Sequence, residues 1–453
     1  MRDGDSLLRS HFISLQMVHW SDMIFPAGVL MSEPVSESGS WFSLLCTPDN
    51  WPEPTWVISA ILTYFAVRFL NVFSYPEKAE VTTAGKSKID EGGKASIGEV
   101  LDKCDILKKV YDPPLLWGRN GHFQTAVYGI LGHTLLKRSF DRRHVVRLED
   151  STSVTFDVFE PITAHSSNRD YTLVLTPGIA NSSESNYIRT AVHYAQEAGY
   201  RCAVLNHLGA LADVELTSDH IFSYGGTLEL EAMMERLAST YPETKFISIG
   251  FSMGANITTR YLHQVKDSDM ADRIISGLSV CLGYCALAST PMYHDWEHGR
   301  RAYNYIITEN MKRLLRRNYE KAVAPHVRSG LVDEQRLWAS TSVVSLDEHY
   351  NRRIHGFPSL EEFYRWCSSL PLIPSLKIPM VFMNALDDPI VPEKLWQPVK
   401  EICAENTNLA FILTKHGGHL GFLEGRSVAP NSVTWLDRFI VEYADAAIET
   451  YDQ

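Results

Sequence analysis

Residues 247–261, ISIGFSMGANITTRY, run from an apolar strand-like stretch, Phe246–Ile249, through Gly250-Phe251-Ser252-Met253-Gly254 into a helix-compatible segment. A serine hydroxyl is a weak nucleophile. It needs a sharp strand-to-helix turn that exposes it to a base and to backbone N–H donors. Glycine on both flanks removes side chains that would collide where strand and helix pack around such a turn. A plain strand-to-helix connection fits the same five residues, so the reading rests on what lies to either side.

Upstream, His144–Leu148 and Ser153–Val158 read as a hairpin across Asp150–Thr152. Tyr171–Thr176 is a further strand, ending in Pro177-Gly178-Ile179-Ala180-Asn181, a turn able to aim the Ile179 N–H at a developing oxyanion. Tyr187–Ala198 has helical spacing and stops at Gly199, Cys202–Asn206 is a strand, and His207–Thr227 is a long polar crossover. Leu228–Thr240 is a helix feeding the strand before Ser252. Downstream, Ile274–Cys281, Pro379–Asn384 and Leu409–Thr414 continue the strands, and Val433–Ile448 closes the chain as an amphipathic helix. This alternation predicts an α/β fold whose mostly parallel sheet is covered by helices on both faces.

Between about 286 and 370 the rhythm breaks into helix, where a lid over an active site would sit. Met311, Leu314, Leu315, Ala322 and Val323 mark one face there. Lys312, Arg313, Arg316, Arg317 and Lys321 crowd the other, as a solvated face or one that touches anionic lipid.

An acid follows a late strand in Ala385-Leu386-Asp387-Asp388-Pro389-Ile390-Val391-Pro392. A histidine follows the last one in Lys415-His416-Gly417-Gly418-His419-Leu420-Gly421-Phe422. The order Ser, Asp, His belongs to α/β-hydrolases and differs from the chymotrypsin and subtilisin orders. Asp388 is preferred over Asp387 because a short apolar stretch and a proline follow it. His419 is preferred over His416 because its glycine-rich loop can deliver an imidazole to the serine. His122, in Tyr111–Thr125 (YDPPLLWGRNGHFQT), reads as a loop histidine satisfied by backbone groups.

The 453 residues suffice for one large α/β domain with extensions. A formal net charge of −12 argues against a general nucleic-acid binder. The seven cysteines include no C-x-x-C pair, which leaves neither a zinc motif nor an evident disulfide framework. Trp56–Phe73 (WVISAILTYFAVRFLNVF) is 18 residues long and apolar up to Arg68, as expected of a single-pass signal anchor. The expected organisation is an N-terminal extension over 1–55, the anchor over 56–73, a linker over 74–97, and a hydrolase domain over 98–453. Arg68, Lys78, Lys86 and Lys88 follow the anchor, and the positive-inside rule then places the body in the cytosol. Asn181-Ser182-Ser183 and Asn256-Ile257-Thr258 fit the N-glycosylation acceptor, which matters only for a luminal or extracellular body.

From about Trp56 onward the chain resembles the alpha/beta-hydrolase domain-containing proteins, and among them the membrane-anchored monoacylglycerol lipases. The resemblance is carried by PPLLWGRNGHFQTA (113–126), PGIANSSESNYIRT (177–190), GYRCAVLNHLGAL (199–211), GFSMGAN (250–256), NALDDPIV (384–391) and GGHLGFLEG (417–425). It puts the triad on Ser252, Asp388 and His419, in agreement with the reading from the residues. It implies a single-pass protein of the plasma membrane or endoplasmic reticulum with a non-cytosolic body, against the charge count. It also implies monoacylglycerol as substrate and, by resemblance alone, a steroid-like activator. His419 would act as base, Asp388 as its orienting acid, and the N–H groups of Met253 and Ile179 as the oxyanion hole, with no metal or organic cofactor. A general carboxylesterase, an acyltransferase, or a lipid- or steroid-binding protein with secondary hydrolase activity would use the same fold.

Overall fold

The computed structural model describes residues 54–84, 95–131, 139–296 and 299–452. The chain divides into two compact units, Met1–Thr63 and Tyr64–Gln453. In the first, the described residues begin the helix Pro54–Phe69. Residues 1–53, almost all of the expected N-terminal extension, lie outside the described residues.

The second unit is built on nine strands: β1 (Glu80–Thr83), β2 (Arg142–Arg147), β3 (Ser153–Phe159), β4 (Tyr171–Thr176), β5 (Arg201–Asn206), β6 (Lys245–Phe251), β7 (Ile274–Val280), β8 (Met380–Ala385) and β9 (Leu409–Thr414). They form one sheet in the order β1-β9-β8-β7-β6-β4-β5-β3-β2. The pairings from β5 through β4, β6, β7 and β8 to β9 are parallel. The hairpin β2–β3 at one edge and β1 at the other join antiparallel.

β4, β5, β7 and β8 are buried along their whole length. That is why they read as nearly unbroken apolar runs, the pattern of strands covered on both faces. One face packs Leu230, Met233, Ile257, Leu262 and Trp396. The other packs Ile188, Val192, Leu436, Phe439 and Tyr443. The last helix, Trp435–Tyr451, starts at a capping box in which Thr434 and Asp437 each accept the other's backbone N–H.

From β4 the chain goes first to β5 on one side and then to β6 on the other. A crevice opens at such a reversal, outside the carboxyl ends of the strands, and ligands of open α/β sheets bind there. The loops bearing Ile179, Ser252, Asp388 and His419 follow β4, β6, β8 and β9, so all four emerge at that end of the sheet.

Three expectations change. Inside the segment read as a linker, Glu80–Thr83 is strand β1, paired with Ala410–Leu413; residues 85–94 lie outside the described residues. The helix begun at Pro54 ends at Phe69, because Asn71 takes a left-handed φ of 54°. Among the described residues no helix is long and apolar enough to cross a membrane. In the 286–370 region the apolar row is buried as expected, but Lys312 is buried with it. Its ammonium donates to Glu309 at 2.6 Å and to the Ser340 carbonyl at 2.9 Å.

Candidate active site

Ser252 stands between β6 and the helix Met253–Val265 with φ 51° and ψ −122°, a conformation that L-residues rarely adopt. The flanking glycines are set by backbone approach. A Cβ on Gly250 would lie 2.4 Å from the Ala255 Cα, and one on Gly254 would lie 2.0 Å from the Thr176 carbonyl oxygen. The G-x-S-x-G spacing is thus a packing requirement of strand against helix.

The Ser252 hydroxyl is 2.9 Å from His419 Nε2, and His419 Nδ1 is 2.8 Å from Asp388 Oδ2. The other oxygen of Asp388 accepts the backbone N–H groups of Ile390 and Val391 at 2.7 and 3.0 Å. With its carboxylate so held and buried, Asp388 fixes the imidazole with Nδ1 protonated and Nε2 as the acceptor toward serine. The backbone N–H of His419 donates to Thr125 Oγ1 at 2.9 Å, and the Thr125 hydroxyl donates to the Gly121 carbonyl at 2.7 Å.

Asp387 and His416 form a separate pair alongside. Asp387 Oδ1 accepts the Gly418 N–H at 2.8 Å, and its other oxygen is 3.7 Å from His416 Nδ1. Burial pushes the Asp387 carboxyl above its ordinary range. His416 Nε2 is 3.3 Å from the Ser74 hydroxyl, so this pair ties the segment after the first helix to the loop that carries His419.

Met253 is the first residue of its helix, and its N–H has no intrahelical acceptor. The turn after β4 is closed by Asn181 N–H on the Gly178 carbonyl at 3.1 Å and by Gly178 N–H on the Tyr187 hydroxyl at 2.8 Å. Neither bond uses the Ile179 N–H. His207 Nε2 is 2.8 Å from the Pro177 carbonyl, and burial pushes this imidazole down to about 4, so it stays neutral and donates. Sequence reasoning alone misses Tyr187, His207 and Thr125. They sit inside the stretches 177–190, 199–211 and 113–126, so a signal is present there without a role attached.

Ser252, Met253, Ile179 and His419 all border one cavity of about 270 Å³. Much of its wall is apolar, with Leu282, Ile307, Val343, Ile390 and Leu395. The 286–370 insertion supplies Ile307 and Val343 as well as Tyr293, Asn304, Asp347 and Tyr364. His122 takes no part. It lies on the helix Gly121–Leu131, stacked between Phe69 and Tyr303, with Nδ1 3.0 Å from the Tyr303 hydroxyl. A tyrosine of the insertion is thus among the partners of its side chain.

Both glycosylation acceptors are engaged in the fold. Asn181 donates to the Ile179 carbonyl at 3.1 Å, and Asn256 is buried. Cys281, Asp388 and His419 bring ligand-type atoms within 4.8 Å of one another. Burial pushes the Cys281 thiol well up, away from the thiolate that a metal needs, and His419 Nδ1 already faces Asp388.

The profile of the α/β hydrolase fold family matches residues 171–426. Mouse and human proteins named "Monoacylglycerol lipase ABHD2" are each 39% identical to this chain over 395 residues, 86% of this chain and 90% of theirs. A Drosophila melanogaster protein named "Abhydrolase domain-containing protein 2" is 39% identical over 395 residues, 87% of this chain and 96% of its own length.

Proposed function

The chain belongs to the α/β-hydrolase family, and on that premise we propose that it is a serine hydrolase of lipid esters with monoacylglycerols as its substrate class. The observation that carries this reading is the unbroken chain from Ser252 through His419 to Asp388, at 2.9 and 2.8 Å, beside a largely apolar cavity. The substrate class is supported by the relatives named monoacylglycerol lipase.

In the reaction so read, Ser252 Oγ attacks the ester carbonyl while His419 Nε2 takes its proton. The oxygen bearing the new charge accepts the N–H groups of Met253 and Ile179, each worth about 3 kcal/mol in comparable sites. Protonated His419 then gives its proton to the departing glycerol oxygen, leaving an acyl-serine. Water, deprotonated by His419, releases the fatty acid and restores Ser252. Asp388 keeps the imidazole in the required tautomer and stabilises its charged form. The test is fluorophosphonate labelling in competition with a panel of lipid esters. Ser252→Ala should abolish both labelling and hydrolysis while the fold survives, and near-normal hydrolysis by that variant would remove Ser252 from the role.

The same reading puts the protein at a membrane through Trp56–Phe73. Trp56 and Leu62 are exposed in the first unit, and Phe65, Phe69 and Phe73 in the second; exposed large apolar side chains in such number are what an interaction site presents. Alkaline carbonate washing should leave the protein in the membrane pellet, and deletion through Phe73 should release it.

A further inference from the structure

Asn256 lies on the first turn of the helix that follows Ser252, and both residues line the same cavity. Its Nδ2 donates to two carbonyls, those of Tyr224 and Cys367, each at 2.7 Å. Two acceptors on one side leave the amide no freedom to flip. Both amide hydrogens are thus taken up by carbonyls, no described residue donates to Oδ1, and Asn256 itself lines the cavity.

The segments that carry these carbonyls are held by side chains. The Tyr224 hydroxyl donates to Asp347 Oδ1 at 2.9 Å and accepts from Asn351 Nδ2 at 3.1 Å. Tyr364, three residues before Cys367, donates its hydroxyl to Asp347 Oδ2 at 2.7 Å. Asp347 and Asn351 bound a single π-helical turn, a local irregularity that recurs at functional sites. A polar network thus runs from the insertion to the helix of the nucleophile, and it ends at Asn256 in the cavity that Ser252 also borders.

We propose that Asn256 Oδ1 is a specificity subsite that accepts a hydrogen bond from a free hydroxyl on the alcohol half of the ester, with Asp347, Tyr224 and Tyr364 as its positioning residues. The proposal rests on the lipid-ester reading above. An acyl chain carries no donor, whereas glycerol esterified once keeps two hydroxyls within a few bonds of the ester oxygen. A site built to pair with a hydroxyl rejects the analogue that lacks it, because the buried acceptor is then left unmatched.

The test compares a 1-monoacylglycerol with its 2,3-di-O-methyl ether of the same acyl chain, on the full-length protein and on Asn256→Leu. The wild-type kcat/KM should be at least tenfold higher for the monoacylglycerol, and in Asn256→Leu that ratio should fall toward one. Equal rates on the two esters with the wild-type enzyme overturn the subsite alone, as does an unchanged ratio in a folded Asn256→Leu. The substrate pair is compared on the unaltered protein, so a variant that fails to fold does not remove the test. If neither ester is cleaved and Ser252 takes no fluorophosphonate, the serine-hydrolase reading fails, and the subsite falls with it.

Discussion

A Cβ atom on Gly121 would lie 1.8 Å from the carbonyl oxygen of Asp387, so the first turn of the Gly121–Leu131 helix meets the acid loop backbone to backbone. The other side of the same residue is also tightly approached: a Cβ on Gly418 would lie 2.4 Å from the Gly121 carbonyl oxygen. One glycine therefore sets the spacing of the two loops that carry Asp388 and His419.

Gly121→Ala must push these loops apart. Misplacing a catalytic group by about 1 Å can cost on the order of 100-fold in rate, and a fall of 10- to 100-fold in kcat/KM on a lipid ester is expected. Gly129→Ala, on the same helix with nothing within 4 Å of the new methyl, should keep full activity and gain about 0.5–1 kcal/mol of stability. Equal effects of the two on rate would show that the contact at Gly121 has no bearing on the site.

Asp388→Asn should lower kcat by about 10⁴-fold, the scale seen when the orienting acid of such a triad is made an amide. Asp387→Asn should lower it by less than about tenfold, since this carboxyl faces Gly418 and His416 and leaves His419 to its neighbour. Steady-state kinetics on folded variants decides, and the opposite ranking transfers the role to Asp387. His416→Ala should likewise remain active where His419→Ala does not.

Stability should respond to pH through Asp347. Burial pushes its carboxyl up to about 6, even though Tyr364, Asn351 and Tyr224 all donate to it. Unfolded, it would titrate near 4, so between these values the folded chain holds the extra proton and stability falls as pH rises from 4 to 6. The span corresponds to at most about 3 kcal/mol. Asp347→Asn removes this dependence. Its melting temperature relative to wild type should be less unfavourable at pH 7 than at pH 4. Asp437, also pushed up to about 6, is common to both proteins and cancels. A difference in melting temperature that stays constant from pH 4 to pH 7 would contradict the assignment.

Glycosidase treatment should not change the mobility of the protein, whichever side of a membrane it faces. The Asn181 amide is bonded within the turn after β4, the Ser183 hydroxyl of its acceptor sequence donates to Asp157 at 2.5 Å, and Asn256 is enclosed. A shift lost in Asn181→Gln would mean that this turn adopts another structure.

β4, β9 and the helix Leu228–Thr240 run as the sequence pattern predicts, because each is a dense apolar or periodic segment with a sharp stop. β1 is hidden in the sequence for a physical reason: Glu-Val-Thr-Thr is four residues long, sits at an edge and buries little, so no period can build up. Ser252, Asp388 and His419 are legible because order and turn chemistry restrict them. Asp347 and Asn256 are not, since their roles arise only when the insertion folds back over the nucleophile helix. Asn256 is visible as a glycosylation acceptor, a local pattern that carries no information on burial.

Strand β1 also bears on how far this chain can be shortened. A version beginning at Ile97, where the dense sequence starts, would leave Ala410–Leu413 of β9 without its antiparallel neighbour. The bared amides and carbonyls of an edge strand invite pairing with another molecule, next to the loop that carries His419. Self-association and loss of turnover would then arrive together. The smallest well-behaved hydrolase fragment should therefore start before Glu80.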